Sequence, residues 1–238
     1  MSGYNYTEFD ADHYELVEFD GPEMGGKAPD AVLTDLDGNP RNLLDFDGPF
    51  LVLEFGSITC PLFQSRRGRM AGIREEFPDV ASIVIYVREA HPGIEISAHA
   101  DLAEKTRRGC QLRDDDGEGR EILIDRMDGA AHCAYGSYPN AVYIINKNGC
   151  VVYRTAWNNS GATRRVLRRL MAGKTVRAEG MFVPPFPPIA LATFRQAGPG
   201  SARDFFESLP KLAWNNLIRR NLRLLFRGNG GVRPDASC

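Results

Sequence analysis

The sequence predicts an α/β fold: a central mixed sheet flanked by helices, with an N-terminal arm and a C-terminal amphipathic helical extension. Three observations carry this. The runs FLVLEF at 50–55 and ASIVIYV at 81–87 read as strands covered on both faces, with helical sequence between them. Strand, helix, strand in that order implies a right-handed crossover and a parallel pair. The stretch NAVYIINKNGCVVYRT reads as a hairpin around a turn containing Asn-Gly. Finally, Trp214, Ile218, Leu222 and Leu225 recur at helical spacing near the C-terminus, with Leu217 and Leu224 widening the stripe.

In chain order, residues 1–24 are aromatic and acidic and read as an irregular arm laid over the domain. Residues 25–49 give a strand, an Asp-Gly-Asn-Pro turn and a second short strand. After the run at 50–55, Pro61 suits the first turn of a helix that runs to about Glu76 and is ended by Pro78. The polar stretch 92–120 holds a short helix at 98–108. EILID is a short strand, and 128–135 a helical turn. GATRRVLRRLMAG is a further helix, stopped by Gly173. The order β-α-β, connector, β-β-α is the arrangement of a thioredoxin-like domain, placed at 25–175. A Pro-rich linker at 176–200 reads as extended. The tail at 201–238 reads as an amphipathic helix over 201–227, broken at Pro210 and interleaved with Arg219, Arg220, Arg223 and Arg227. Such a helix docks on its own domain, on a second subunit to make a homodimer, or on a membrane surface as a peripheral contact.

With 238 residues, 43% of them hydrophobic, the chain can bury a sizeable core. The net charge of −2 argues against a general nucleic-acid binder. The acidic, polar N-terminus lacks the features of a signal peptide, and no run of roughly 18 apolar residues is present. A cytoplasmic location is therefore expected. The five cysteines, Cys60, Cys110, Cys133, Cys150 and Cys238, include no C-x-x-C pair and no Cys/His cluster with metal-ligand spacing. No metal is expected, and all five are expected to be free thiols.

Cys60 stands between a buried strand and a helix start. Unpaired N–H groups and the helix dipole there stabilise an anion and lower a thiol pKa. Arg66 and Arg67, one to two turns on, add positive potential. The plain alternative is a buried, inert cysteine. Phe63 stands where a dithiol motif needs its second cysteine, so a one-thiol mechanism follows. The thiol is then reset from outside or by a distant cysteine, with Cys133 and Cys110 as candidate resolving residues.

The stretch YVREAHP at 86–92 ends the neighbouring strand. Period two places Glu89 and His91 on one face, where a carboxylate can orient an imidazole as a proton donor. Sites in parallel α/β sheets form at such strand ends. Pro139 precedes a strand expected beside that of Cys60, and a proline at this place is often cis, holding the backbone near the nucleophile.

Taken together, FGSITCPLF, IYVREAHP, DRMDGAAHCAYGSY, the hairpin and TRRVLRRL resemble the iodothyronine deiodinase family over roughly 28–170. In that family the nucleophile is a selenocysteine, and Cys60 occupies its position. The resemblance implies that Ser57 and Thr59 are the flanking hydroxyls. It implies that Glu89 and His91 serve proton delivery and substrate contact. It further implies substrate-binding roles for His99, Tyr135 and Arg164. Sulfur in place of selenium makes the nucleophile poorer. Ile58 and Arg120 stand where some members carry cysteines, and the N-terminal membrane helix of the animal enzymes is missing.

The first functional expectation is a thiol-dependent reductive dehalogenase acting on small halogenated aromatics such as iodothyronines or iodotyrosines. It needs no bound cofactor, only an external thiol reductant: thioredoxin, glutathione or dithiothreitol. The second is a peroxiredoxin-like thiol peroxidase. GKAPDAVLTDLDG resembles the entry of that superfamily and Ser57 its hydroxyl, but Leu53 stands where its proline belongs. The third is a non-catalytic redox-sensing or scaffold module that uses the tail.

Overall fold

The computed structural model describes residues 4–14, 16, 18–177, 179–226 and 231–238. Strands β1 (Val32–Thr34) and β2 (Pro40–Asn42) form the predicted hairpin. Its turn is held by the Asp35 carboxylate, which accepts from the N–H groups of Asp37 at 2.9 Å and Asn39 at 2.8 Å, with Gly38 at φ +88°. Next come β3 (Phe50–Gly56), α1 (Pro61–Glu76), β4 (Ala81–Tyr86), α2 (Leu102–Asp114), β5 (Glu121–Ile124), α3 (Ala130–Ala134), β6 (Val142–Asn146), β7 (Val151–Thr155) and α4 (Ser160–Met171). The described strands make one sheet in the order β2-β1-β5-β4-β3-β6-β7. β3 runs parallel to β4 and antiparallel to β6, so the expected parallel pair and hairpin are both present.

β3, β6 and β7 are buried along their whole length, as strands covered on both faces must be. The one charge in β3, Glu54, is met inside by Arg120 and by the side-chain amides of Asn140 (2.8 Å) and Asn158 (2.5 Å). A buried carboxylate persists only with such partners. The arm lies over the domain, with Tyr6, Phe9, Tyr14 and Phe19 in the main core. The buried Arg88 guanidinium sits 4.8–4.9 Å from the ring centroids of Tyr4, Tyr6 and Tyr14.

Several expectations are corrected. The helix placed at 98–108 starts instead at Leu102, because the Asp101 carboxylate caps it by accepting from Glu104 N–H at 2.7 Å. The linker 176–200 is not extended throughout. Pro187 and Pro188 open helix α5 (Pro187–Ala197), where a missing N–H costs no hydrogen bond. No break falls at Pro210, which lies within α6 (Ser201–Ala213). Past it the backbone loosens into a π-helical stretch, Trp214–Arg220, before α7 (Asn221–Phe226). Arg227 lies outside the described residues.

The tail docks on the domain, α6 through Phe205 and Leu212 and the stretch after it largely with its polar side. Asn215, Asn216 and Arg220 are buried, while Trp214, Ile218, Leu222 and Leu225 face outward at 59%, 44%, 49% and 64% exposure. Pro139 is not cis: the described residues contain no cis peptide bond.

Nor are all five cysteines free. Cys150 and Cys238 form a disulfide, with Cα atoms 5.8 Å apart across 88 residues. The Asn146 amide donates to the carbonyls of Pro234 and Ala236 at 2.9 and 2.8 Å and so draws the chain end to the β6–β7 turn. Sequence spacing gives no sign of a closure this long.

Candidate active site

β3 ends at Gly56, where an added Cβ would collide with the Phe63 ring. The chain then turns through Ser57–Thr59, closed by Cys60 N–H donating to Ser57 O at 3.2 Å. Cys60 is the N-cap of α1 with Pro61 behind it, as the sequence predicts. The N–H groups of Leu62 and Phe63 act on its sulfur and favour the anion. The expected low pKa is nonetheless overturned. Cys60 is buried, and desolvation outweighs the helix end, pushing the thiol up to about 12. Glu54 and Glu89 add to that rise. Arg66 lies close enough to interact with Cys60 electrostatically, but its hydrogen bonds go to the carbonyls of Asn158, Val183 and Pro184 at 3.3, 2.8 and 3.0 Å. Arg67 bonds the Gln64 side chain and ion-pairs with Asp116 and Glu118.

Glu89 and His91 both reach the Cys60 loop, but not as the pair expected. β4 stops at Tyr86, so the alternation of an extended strand does not continue to His91. The Glu89 carboxylate accepts from Thr59 Oγ1 at 2.6 Å and Thr59 N–H at 3.1 Å, and from the Tyr86 hydroxyl. It also bonds His99 Nε2 at 3.0 Å. Burial works against its charge, yet His99, Thr59 and Tyr86 together hold it below the usual carboxylate range. Its imidazole partner is therefore His99, not His91. Thr59 Oγ1 also accepts from His91 N–H at 3.1 Å, and Ser57 Oγ from Ala90 N–H at 3.2 Å. The two hydroxyls thus tie the Cys60 loop to the chain leaving β4.

His91 faces the same cavity as Cys60. Phe9, Phe194 and Phe205 pack around its ring at centroid distances of 4.1, 5.4 and 5.4 Å. Desolvation lowers its pKa to about 3, so the imidazole is neutral, and its Nδ1 is buried without a partner. The cavity measures about 350 Å³. Its floor is Cys60, Pro61 and Leu62, and Pro139 and Trp157 flank it. Its roof comes from Phe182, α5, α6 and the π-helical stretch. The roof is held by Trp157 Nε1 donating to Asn216 Oδ1 at 2.8 Å and Ser201 Oγ donating to His91 O at 3.0 Å.

The remaining candidates stand apart from this cavity. His99 is buried behind Glu89. Tyr135 is a core residue, packed on Tyr143 at 4.9 Å, with its hydroxyl donating to Pro29 O at 2.6 Å. Arg164 ion-pairs with Glu76 at 3.2 Å on the α1–α4 side. Cys133 is exposed on α3 and Cys110 half-buried on α2, and neither lines the cavity. Among the described residues no cluster of His, Cys, Asp or Glu could hold a metal ion. The aromatic residues of the roof were missed. Phe182 and Phe194 stand beside a proline cluster that reads as linker, and Phe205 and Phe206 fall within the tail helix.

A thiol at the N-cap of a helix that follows a central parallel strand, in a sheet of this order, defines a thioredoxin-like protein with a single thiol in its motif. A solved structure from Chlorobium tepidum, described as a "putative Thiol:disulfide interchange protein DsbE", shares the fold. It matches with a TM-score of 0.50 at 16% identity, covering 64% of this chain and 98% of that one. The family model for iodothyronine deiodinase matches residues 5–171, and the chain belongs to that family. Thyroxine 5-deiodinase of Aquarana catesbeiana is 32% identical over 181 residues, 70% of this chain and 66% of that one. Its counterpart in Gallus gallus is 32% identical over 147 residues, 56% of each. The chain thus spans between about half and two thirds of the length of these relatives. Most of the cavity roof lies beyond residue 171, outside the family match. Among the described residues no helix is long and apolar enough to cross a membrane.

Proposed function

We propose that the protein is a thiol-dependent reductive dehalogenase of halogenated aromatic compounds, with Cys60 as nucleophile. The observation that carries this reading is the cavity itself: a buried thiol and a neutral imidazole share an apolar, aromatic-walled space large enough for a ring. A peroxiredoxin-like peroxidase is the alternative, but a small polar peroxide has no use for such walls.

Cys60 sulfur bonds to the iodine as the carbon–iodine bond breaks, and the bond's electrons return to the ring carbon. The thiol proton leaves Cys60 and reaches that carbon, with His91 as the relay. Thiol and aryl iodide thus give a sulfenyl iodide and a dehalogenated ring, with no outside proton. Two molecules of an external thiol then convert the sulfenyl iodide to the Cys60 thiol, releasing a disulfide, iodide and a proton. The backbone N–H groups of Leu62 and Phe63 favour the sulfur while it carries charge. Thr59 and Glu89 position the loop, with His99 behind them. Because Cys110 and Cys133 stand outside the cavity, an external reductant such as thioredoxin, glutathione or dithiothreitol suits the cycle better than a resolving cysteine.

The outward stripe Trp214, Ile218, Leu222 and Leu225 supports association through the tail. Residues 211–226 contain Lys211, Arg219, Arg220 and Arg223 and no acidic residue, which favours an anionic lipid surface over a homodimer. Sedimentation with anionic vesicles, wild type against Trp214→Ser with Leu225→Ser, tests this. A cytoplasmic site of action fits the need for a thiol pool, while the Cys150–Cys238 disulfide draws toward an oxidising one.

The function is tested by giving purified protein with dithiothreitol an iodinated phenol and, separately, hydrogen peroxide. Iodide release that depends on Cys60 is expected. Absence of iodide together with fast Cys60-dependent loss of peroxide would replace the reading by the peroxidase.

A further inference from the structure

We infer that the ligand of the Cys60 cavity is a neutral halogenated aromatic ring without an amino-acid head group. The inference deepens the proposed dehalogenation by naming its substrate class, and it rests on that reading only for the chemistry, not for the binding.

Among the described residues lining the cavity, none carries a charged side chain. The charges behind the walls are committed elsewhere: Arg66 to three backbone carbonyls, Glu89 to Thr59, Tyr86 and His99, and Arg88 to Tyr4 O and the faces of Tyr4, Tyr6 and Tyr14. The polar groups in the wall are also occupied. Asn216 accepts from Trp157 Nε1 and donates to Leu212 O at 3.0 Å. The Tyr6 hydroxyl donates to Ala90 O at 2.9 Å, which leaves the Tyr14 hydroxyl to donate to Tyr6. The His91 imidazole is the exception: its Nδ1 is shut off without a partner, and its Nε2 makes no hydrogen bond to the described residues. The walls therefore offer a ligand hydroxyl a neutral hydrogen bond at the imidazole and no counter-charge.

An ammonium and a carboxylate taken into this space would lose their hydration and find no counter-charge, a loss far larger than the ring's burial returns. The mouth offers no relief. Leu191, Phe206, Leu209 and Leu217 line the cavity and are also 38–52% exposed, so a head group emerging there meets apolar rim. The imidazole agrees with this, since burial keeps it neutral and unable to pair with a carboxylate. A halogenated phenol or cresol fits the whole: apolar ring against aromatic walls, halogen toward Cys60, hydroxyl to the His91 imidazole through Nε2.

Two ligands with the same iodinated ring decide the matter: ortho-iodo-para-cresol and monoiodotyrosine, which adds the amino-acid head. Each is titrated calorimetrically at neutral pH into the full-length protein and into Cys60→Ser, where no chemistry can intrude. The cresol is expected to bind roughly tenfold or more tightly than the amino acid. Equal or tighter binding of monoiodotyrosine, or no binding of the cresol, overturns the inference. Iodide release from both, with dithiothreitol and wild type, separates the two claims. Selective binding of the cresol without iodide release removes the dehalogenase reading and leaves this one standing. Faster release from monoiodotyrosine does the reverse.

Discussion

Thr59 Oγ1 donates to the Glu89 carboxylate at 2.6 Å and accepts from His91 N–H at 3.1 Å, so one hydroxyl joins the Cys60 loop to both residues that leave β4. Thr59→Val keeps the shape and removes both bonds. A hydrogen bond to a buried charge contributes about 2 kcal/mol. The urea midpoint of the variant is expected to fall by the corresponding amount, and turnover with it, because His91 loses its anchor.

Stability should decline on mild acidification. Burial depresses the pKa of both His91 and His132 from 6.5 to about 3. A base depressed in the folded state is protonated first in the unfolded chain. The stability is therefore complete above 6.5 and is lost as pH falls from there toward about 3. Each histidine contributes a slope of about 1.4 kcal/mol per pH unit. Urea unfolding across this window should show the slope, and His91→Gln should lower it by one proton's worth.

Alkylation should single out the wrong cysteine. Cys60 is buried with its thiol pushed up to about 12, whereas Cys133 is exposed. Iodoacetamide at neutral pH is expected to label Cys133 well before Cys60, as read by peptide mass spectrometry. Faster labelling of Cys60 would show that the helix end outweighs desolvation.

The Cys150–Cys238 disulfide closes an 88-residue span that includes the cavity roof. Cys238→Ser is expected to cost about 2–5 kcal/mol and to make the thermal midpoint insensitive to reductant. Counting free thiols in protein purified without reductant checks the bond directly.

What the sequence reveals here follows the range over which each cause acts. The strand before Cys60, Pro61 at the helix start and the hairpin at 140–155 depend on neighbours a few residues away, and all three are as expected. So is the lack of a second cysteine at Phe63. The pKa of Cys60 goes the other way because the helix end is local, while the burial that desolvates the sulfur comes from residues far apart in the chain. The period-two pairing of Glu89 with His91 fails because the strand ends at Tyr86, three residues before Glu89. Its true partner, His99, sits in a stretch with no periodicity at all. The stripe of the tail is legible, but its direction is not: Asn216 and Arg220 turn inward because Trp157 and Glu179 offer them partners across the fold.

The most direct test of the central claim is a single turnover without reductant. Protein and ortho-iodo-para-cresol are mixed, and the dehalogenated ring is measured against Cys60. One equivalent of para-cresol per Cys60 is expected, with iodide appearing in solution only when a thiol is added. Para-cresol formed equally by Cys60→Ser, or none formed by wild type, would contradict that claim.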